Sequence, residues 1–308
     1  MQGRQNIVYI RDEDFFRVKE MGFDLVSLAN NHVWDLGEEG LKNTIKHLKD
    51  NGILYCGAGM NIEEASRPAV IEREGMTIAF YAYCMYNSPW LGYVELAGEG
   101  KPGVNPLDID RVESDIRAAK KQYDKVIVLP HWGRECSYKP SPECVEWARR
   151  MVAAGADAVF GSHTHSAQPL VTIKGTPVCF SMGNFLFPDF YMYPPRPIWY
   201  PGPDVDRTKI KDVSDYPFPV IEPVRQVSAP IARVGWAISA TVNRDKMSLQ
   251  PLFVRNSNSN ILSFGDMDSS AKKALREEYC MVKYPILKFP IKLVRKIRKI
   301  FQKQLAKA

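Results

Sequence analysis

The chain has 308 residues, of which 45% are apolar and 25% charged, an ordinary balance for a globular protein with a sizeable core. No stretch reaches the roughly 18 continuous apolar residues of a membrane-spanning helix, and the N-terminus lacks the apolar segment of a secretory signal. Residues 283–308 hold nine of the 41 Lys and Arg and no Asp or Glu, so the remaining 32 basic and 35 acidic residues make a mildly acidic body. That distribution excludes a body that binds nucleic acid along its length.

The cysteines indicate neither a thiolate zinc site nor a disulfide framework, because they are scattered and form no C-x-x-C pair. Most are flanked by apolar residues, which is typical of small buried side chains in a reducing compartment. The six are Cys56, Cys84, Cys136, Cys144, Cys179 and Cys280.

Helices and strands alternate through the first two thirds of the chain, and hairpins follow. Helices are predicted at 12–21, 38–52, 108–123 and 141–154. Strands are predicted at 23–28, 53–56, 69–74, 76–84, 125–130, 156–160, 169–173, 176–182, 232–242 and 247–255. This order predicts an α/β layered architecture rather than an all-β sandwich.

Polar residues mark the expected helix ends. Asp12 or Asp14 is expected to cap the first helix, and Asp108 the third. Ser141 followed by Pro at the first helical position is a typical start for the fourth helix, and Gly155 is its expected end.

Two segments lie outside this regular pattern. Residues 186–230 hold ten of the 22 prolines with interleaved aromatics, which predicts a lid over a site, a polymer-binding surface or an irregular wrap over the core. We place one domain at 1–265 and a basic helical tail at 266–308. An apolar face formed by Leu293, Ile297, Ile300, Phe301 and Leu305 suits the tail either to an anionic membrane surface or to docking on a protein.

Four of the five histidines follow predicted strands. His32 lies in ANNH, His131 in HWG, and His163 and His165 in GSHTH. Ligands of open α/β sheets gather outside the carboxyl ends of the strands, so these loops are expected to converge there. His47 is expected on the exposed face of a helix, with no role.

Each piece also has a purely structural interpretation. A single histidine after a strand is often only a loop residue. Asn30 and Asn31 are good turn formers, and Asp35 is a candidate cap for the helix that begins near Glu38.

Imidazoles, an amide oxygen and carboxylates together suit a borderline divalent cation such as Mn, Fe or Zn. Such an ion polarises a phosphoryl oxygen and lowers the pKa of bound water. His32, beside the ligand Asn31, would then be placed to protonate a leaving group.

Four sequence blocks, ANNHVWDLGEEGLKNTIKHLKDNGILYCGAG, HWG, GADAVFGSHTH and SMGNF, resemble the CapA-type capsule-synthesis (poly-γ-glutamate) proteins, a branch of the calcineurin-like metallophosphoesterase superfamily. The resemblance runs from about Phe15 to Phe187, with a weaker tail to about residue 255. It implies a layered β-sandwich flanked by helices and a dinuclear metal centre at the strand ends.

The resemblance also implies roles for individual residues. Asn31 and His131 match metal ligands, and His32 matches the catalytic histidine. His163 and His165 match the paired ligands of a G-H-x-H block, here with Ser162 before the first. We assign Asp35 and Asn184 to structural support of the site.

The superfamily's two earlier blocks, an Asp-x-His strand end and a Gly-Asp block, are not in this sequence. Asp12-x-Asp14 is a poor substitute, since a helix cap explains it. We therefore expect an N-terminally truncated chain with a dinuclear site that is incomplete. The expected location is cytoplasmic or peripheral to the membrane, or extracytoplasmic if an N-terminal anchor is missing.

The leading hypothesis is a CapA-like protein of capsule or exopolymer synthesis with a metallophosphoesterase-type site that acts on a phosphoester or anionic polymer. The alternative is a non-catalytic accessory protein of the same fold that binds an anionic polymer or a synthase partner. A third hypothesis is a fragment with no function of its own. No nucleic-acid partner is expected.

Overall fold

The structure is a computed structural model that describes residues 8–88, 91, 93–187, 190–192, 224–226, 230–256 and 262–265. Within these residues the α-helices are α1 (Phe16–Glu20), α2 (Gly37–Asp50), α3 (Ile62–Ser66), α4 (Ile109–Ala119) and α5 (Pro142–Ala154). The strands are β1 (Leu25–Ser27), β2 (Leu54–Cys56), β3 (Ala58–Gly59), β4 (Ala69–Arg73), β5 (Met76–Cys84), β6 (Gly103–Val104), β7 (Lys125–His131), β8 (Ala158–Phe160), β9 (Leu170–Ile173), β10 (Thr176–Cys179), β11 (Phe190–Met192), β12 (Val224–Gln226), β13 (Val234–Val242), β14 (Met247–Asn256) and β15 (Leu262–Gly265). The predicted mixed α/β class is confirmed.

A six-stranded sheet in the order β4-β5-β7-β8-β10-β9 forms the centre. Its inner pairs β5–β7, β7–β8 and β8–β10 are parallel, and hairpin partners form antiparallel edges. The carboxyl ends of β7 and β8 therefore meet at one edge of the sheet, where the histidine-bearing loops were predicted to converge.

Both faces of this sheet are covered by other elements. Successive side chains of a strand point to opposite faces, so each strand contributes to both packing layers. On β5, Tyr81 and Tyr83 pack with α4 and α5, whereas Ala82 and Cys84 pack with α2 and the β1–β2 pair. The amphipathic helices supply the matching apolar faces: Leu41, Ile45 and Leu48 from α2, Val112 and Ile116 from α4, and Ala148, Met151 and Val152 from α5.

The predicted caps of α4 and α5 are confirmed, although α4 ends at Ala119 rather than near residue 123. Asp108 Oδ1 accepts from the backbone N–H groups of Asp110 and Arg111. Ser141 Oγ accepts from Cys144 N at 3.3 Å, and Gly155 ends α5 with φ +112°. Side-chain acceptors satisfy the N–H groups that a helix start leaves open.

Three local predictions are wrong. Neither Asp12 nor Asp14 caps α1, because a short 3₁₀ turn precedes that helix and Asp14 pairs with Arg11 instead. Asp35 does not cap α2, whose first turn has no side-chain cap. The strand 23–28 is predicted to be buried, but among the described strands β1 pairs with β2 alone, and its Ser27 is exposed.

A second, three-stranded sheet (β13-β14-β15) contacts the β9–β10 edge of the first. Trp236 and Phe253 meet edge to face at 5.5 Å between ring centroids and pack with Leu170 and Cys179. Trp236 Nε1 donates to Gln168 O at 2.9 Å. Strands β13 and β14 thus pack on the central sheet.

Most of the 186–230 segment and all of the 266–308 tail lie outside the described residues. Among the residues that are described, no helix is both long and apolar enough to cross a bilayer.

The turn between β9 and β10 supplies a stability prediction. Lys174 and Gly175 have φ +46° and +87°, the left-handed pair of a type I′ hairpin turn, where Asn-Gly is preferred. Lys174→Asn should raise the free energy of unfolding by about 0.5–1 kcal/mol, because Asn tolerates this conformation better than Lys. Urea unfolding measures the change. Lys139→Asn, an exposed loop lysine without positive φ, is the control and should change nothing; equal effects of both would contradict the turn argument.

Candidate metal centre at the strand ends

Two neighbouring strand ends bring three histidines together. His131 is the last residue of β7, and His163 and His165 lie in the loop after β8; a bridge between His131 and Ser162 holds the two segments side by side. The ring centroids of His131 and His163 are 4.8 Å apart, and those of His163 and His165 are 6.4 Å apart. His163 is 6% exposed.

Asn31 reaches this group from the loop after β1, a strand that lies outside the central sheet. Its turn is fixed locally, since Asn30 Oδ1 accepts from His32 N at 2.8 Å. Asn31 Oδ1 lies 2.9 Å from His131 Nε2. The two asparagines therefore divide the roles left open by the sequence: Asn30 forms the turn, and Asn31 enters the site.

His32 and Asp35 form a dyad. His32 Nδ1 lies 2.8 Å from Asp35 Oδ2, and the same oxygen accepts from Val8 N at 2.8 Å. Asp35 is only 3% exposed, while the His32 side chain is 39% exposed. The Asp35 carboxylate thus holds the His32 ring by Nδ1 and leaves Nε2 for other groups. Asp35 therefore orients His32 instead of capping the helix.

His165 is held from Asn184, in the SMGNF block. Its Nδ1 lies 3.0 Å from Asn184 Oδ1, and Asn184 Nδ2 donates to Ala232 O at 2.8 Å. The ring of Phe187 packs against His165 at 5.1 Å between centroids. Both residues that we assigned to structural support thus contact a site histidine.

The backbone of the histidine loop is held in an unfavourable conformation. His163 and His165 have φ +90° and +53°, and Cys136, whose N–H donates to Thr164 O at 2.8 Å, has φ +53°. Non-glycine residues in this region carry strain of order 1–3 kcal/mol each, and such strain clusters at functional sites. The fold therefore maintains these two ring positions at a cost.

The electrostatics favour a neutral imidazole at His131. Burial lowers the pKa of His131 well below its ordinary value, and the nearby His163, His165 and His32 lower it further. Its Nδ1 lies 3.0 Å from Ser162 Oγ, an orienting partner of the kind that metal-bound histidines have. Only a neutral ring can ligate a metal.

The donor set fits a cation in part. Two ligand atoms bound at about 2.1 Å and at right angles lie about 3 Å from each other, and His131 Nε2 and Asn31 Oδ1 are 2.9 Å apart. Among the described residues, however, no three His, Cys, Asp or Glu side chains are grouped closely enough to hold a metal ion. Asn31 and His131 thus match two adjacent ligand positions, and the other two histidines are the candidates for more.

Three residues that support the site histidines were not predicted from the sequence. Ser162 was noted only as a departure from a pattern, and Cys136 and Ala232 received no role. All three act through contacts distant in sequence, two of them through backbone atoms that no motif records. His47, set aside as exposed, is partly buried against Phe15 at 4.9 Å between ring centroids and is not among the site histidines.

Fold and site together define a mixed α/β protein with an imidazole and amide site at the ends of parallel strands. The chain belongs to the bacterial capsule synthesis protein PGA_cap family, whose model matches residues 5–189. This confirms the resemblance to CapA-type proteins drawn from the four sequence blocks.

Individual relatives agree with the family. The PGA biosynthesis protein CapA of Bacillus subtilis is 33% identical over 177 residues, 55% of this chain and 44% of that protein. The capsule biosynthesis protein CapA of Bacillus anthracis is 34% identical over 187 residues, 58% and 43% respectively. The match therefore spans less than half the length of each of these two relatives. The solved structure of Haemophilus influenzae NAD nucleotidase (NadN) aligns with 92% of this chain and 46% of that chain, at 14% identity and a TM-score of 0.40.

Proposed function

We propose that this chain acts in the synthesis of a capsule or exopolymer of the poly-γ-glutamate type through a metal-dependent phosphoesterase-type site. The observation that carries the proposal is the meeting of Asn31, His131, His163 and His165 from three separate loops. Family membership supports the biological setting, since relatives are named for PGA and capsule biosynthesis. A metallophosphoesterase-like layered β-sandwich flanked by helices is the finer fold that we propose.

Each residue has a defined task in this proposal. Asn31 and His131 would hold one divalent cation of the Mn, Fe or Zn class, with His163 and His165 completing that site or contributing to a second one. Such a cation supplies an activated water and polarises a phosphoryl oxygen. Ser162 orients His131, and Asn184 orients His165.

His32 would move the proton of the reaction. A general acid must lie within hydrogen-bond reach of the leaving group and keep its ring oriented. The Asp35 carboxylate meets the second condition, because it accepts from Nδ1 and fixes the orientation of the ring. His32 Nε2 would then donate to a phosphoester leaving oxygen.

A non-catalytic accessory protein remains the second candidate, favoured by two observations. The described residues contain no ready group of three anionic or imidazole ligands, and Asn31 hydrogen-bonds His131 directly. A relative from Mycobacterium tuberculosis, 30% identical over 165 residues, is named a probable polyglutamine synthesis accessory protein. In this role the same site would bind an anionic polymer or a synthase, and the 266–308 tail would bind a membrane surface.

Metal content separates the two candidates. The chain is dialysed against Mn²⁺ or Zn²⁺ and then against buffer, and bound metal is measured beside a His163→Ala/His165→Ala double variant. The enzyme proposal predicts retained metal in the wild type and an affinity at least about 100-fold weaker in the double variant, because removing ligands costs at least as much as removing their orienting partners. Metal-dependent hydrolysis of bis(p-nitrophenyl) phosphate should follow the same order.

Equal, metal-free results for both proteins would contradict the proposal and favour the accessory role. A His47→Ala variant is the matched control, since His47 is the one histidine of the five that lies away from this group. It should retain metal like the wild type.

A further inference from the structure

The proton positions on His165 follow from the hydrogen-bond chain that ends at Ala232. A backbone carbonyl oxygen can only accept, so the Asn184 amide group must turn its nitrogen toward Ala232 O. The amide oxygen then faces His165 Nδ1. Because this oxygen is also only an acceptor, Nδ1 must carry the proton.

We propose that Asn184 is a positioning residue that locks His165 in the Nδ1–H tautomer, with the Nε2 lone pair left for a ligand. The lock is anchored outside the family-matched stretch, which ends at residue 189, because its far end is the carbonyl of Ala232. The 3₁₀ turn Pro230–Arg233, which leads into β13, is therefore a working part of the site in this chain.

The backbone around Asn184 shows that this anchoring is built into the fold. Gly183 pairs with Gly235 of β13 in an antiparallel bridge, and Trp236 N donates to Met182 O at 2.7 Å. A Cβ on Gly235 would overlap the carbonyl of Asn184. Only glycine lets the strand approach this closely, so the distance between Asn184 and the hairpin is fixed by the backbone itself.

The neighbouring histidine has the opposite arrangement and provides an internal reference. His131 Nε2 faces the acceptor Asn31 Oδ1, so it carries the proton there, while Nδ1 accepts from the Ser162 hydroxyl. A hydroxyl can both donate and accept. His131 can therefore exchange its tautomer when a cation arrives, whereas His165 is held in the ligating form from the start.

Long-range ¹H–¹⁵N correlation NMR of the metal-free chain, at a pH where the rings are neutral, tests the lock. The five histidines keep the spectrum simple, and His165→Gln identifies the His165 signals. We expect the proton of His165 on Nδ1 and that of His131 on Nε2.

Two substitutions of Asn184 distinguish an effect on the His165 tautomer from an effect on the stability of the fold. Asn184→Asp keeps an acceptor toward Nδ1 and should keep the Nδ1–H form. Asn184→Ala removes it and should release His165 toward the Nε2–H form that free histidine prefers, with the His131 signals unchanged. A wild-type spectrum with the proton on Nε2 of His165 would overturn the proposal even if Asn184→Ala does not fold, and so would an Nδ1–H form that survives in Asn184→Ala.

The consequence for a cation rests on the proposed function. Asn184→Ala should weaken Zn²⁺ binding by about 10–100-fold, the usual cost of losing an orienting partner. If the tautomer changes as expected but the wild type binds no metal, the metal proposal fails while the lock stands.

Discussion

Replacement of His32 by asparagine is expected to lower kcat for phosphodiester hydrolysis by the metal-loaded chain by about 10²–10⁴-fold, the usual contribution of a general acid. Asparagine can still donate to the buried Asp35 carboxylate, so the turn that carries Asn31 should persist. It cannot deliver a proton to a leaving group. The loss should therefore appear in kcat, with bound metal and melting temperature close to those of the wild type.

The choice of substrate sharpens this test. A good leaving group such as p-nitrophenolate needs little protonation. The kcat for its ester should therefore fall less in His32→Asn than the kcat for an alkyl ester. The matched control is His47→Asn, since His47 lies on α2 and pairs with Asp12. This variant should hydrolyse both esters at the wild-type rate. An unchanged kcat in His32→Asn on the alkyl ester would remove His32 from the reaction.

Substitution of Gly161 by alanine is expected to produce the largest loss of stability. A Cβ there would overlap the carbonyl oxygen of Phe180 and lie 2.5 Å from Trp132 Nε1. Trp132 is fully buried and donates through Nε1 to that same carbonyl at 2.8 Å. Overpacking costs about 1–3 kcal/mol and an unsatisfied buried N–H about 1–3 kcal/mol. Together these span about 2–6 kcal/mol, and we expect a loss of about 3 kcal/mol.

Thermal unfolding measures this effect as a fall in Tm of roughly 6–12 °C, at about 2–4 °C per kcal/mol for a domain of this size. The control is Gly98→Ala, where an added Cβ meets nothing closer than Lys101 Cβ at 3.5 Å and φ is not positive. It should leave Tm nearly unchanged. Because Gly161 directly precedes Ser162 in the histidine loop, equal Tm values for the two variants would show that this loop is not packed as described.

The fold was predictable where the signal is local. The alternation of α2, α4 and α5 with strands follows from apolar periodicity, and the Ser141 and Asp108 caps from side chains close in sequence. The gathering of histidines after β7 and β8 follows from a general property of parallel sheets. The family followed from the order and spacing of four blocks.

Sequence-based predictions failed at residues with two competing local interpretations, and at residues whose contacts depend on a partner distant in sequence. Asp35 suits a helix cap by position, but the imidazole three residues earlier and the N–H of Val8 hold its carboxylate instead. Burial of β1 depends on its single neighbour, which no pattern within the strand specifies. The contact of Asn184 with Ala232 spans 48 residues, and the acceptor is a backbone atom that any residue would supply.

The proposal that the segments after β1, β7 and β8 form one metal site is tested most directly by anomalous diffraction from crystals soaked in Mn²⁺. We predict one strong anomalous peak within bonding distance of His131 Nε2 and Asn31 Oδ1, with the direct hydrogen bond between these atoms replaced by the ion. An absent peak at millimolar Mn²⁺, with that 2.9 Å hydrogen bond intact, would contradict it and leave the chain as an accessory protein.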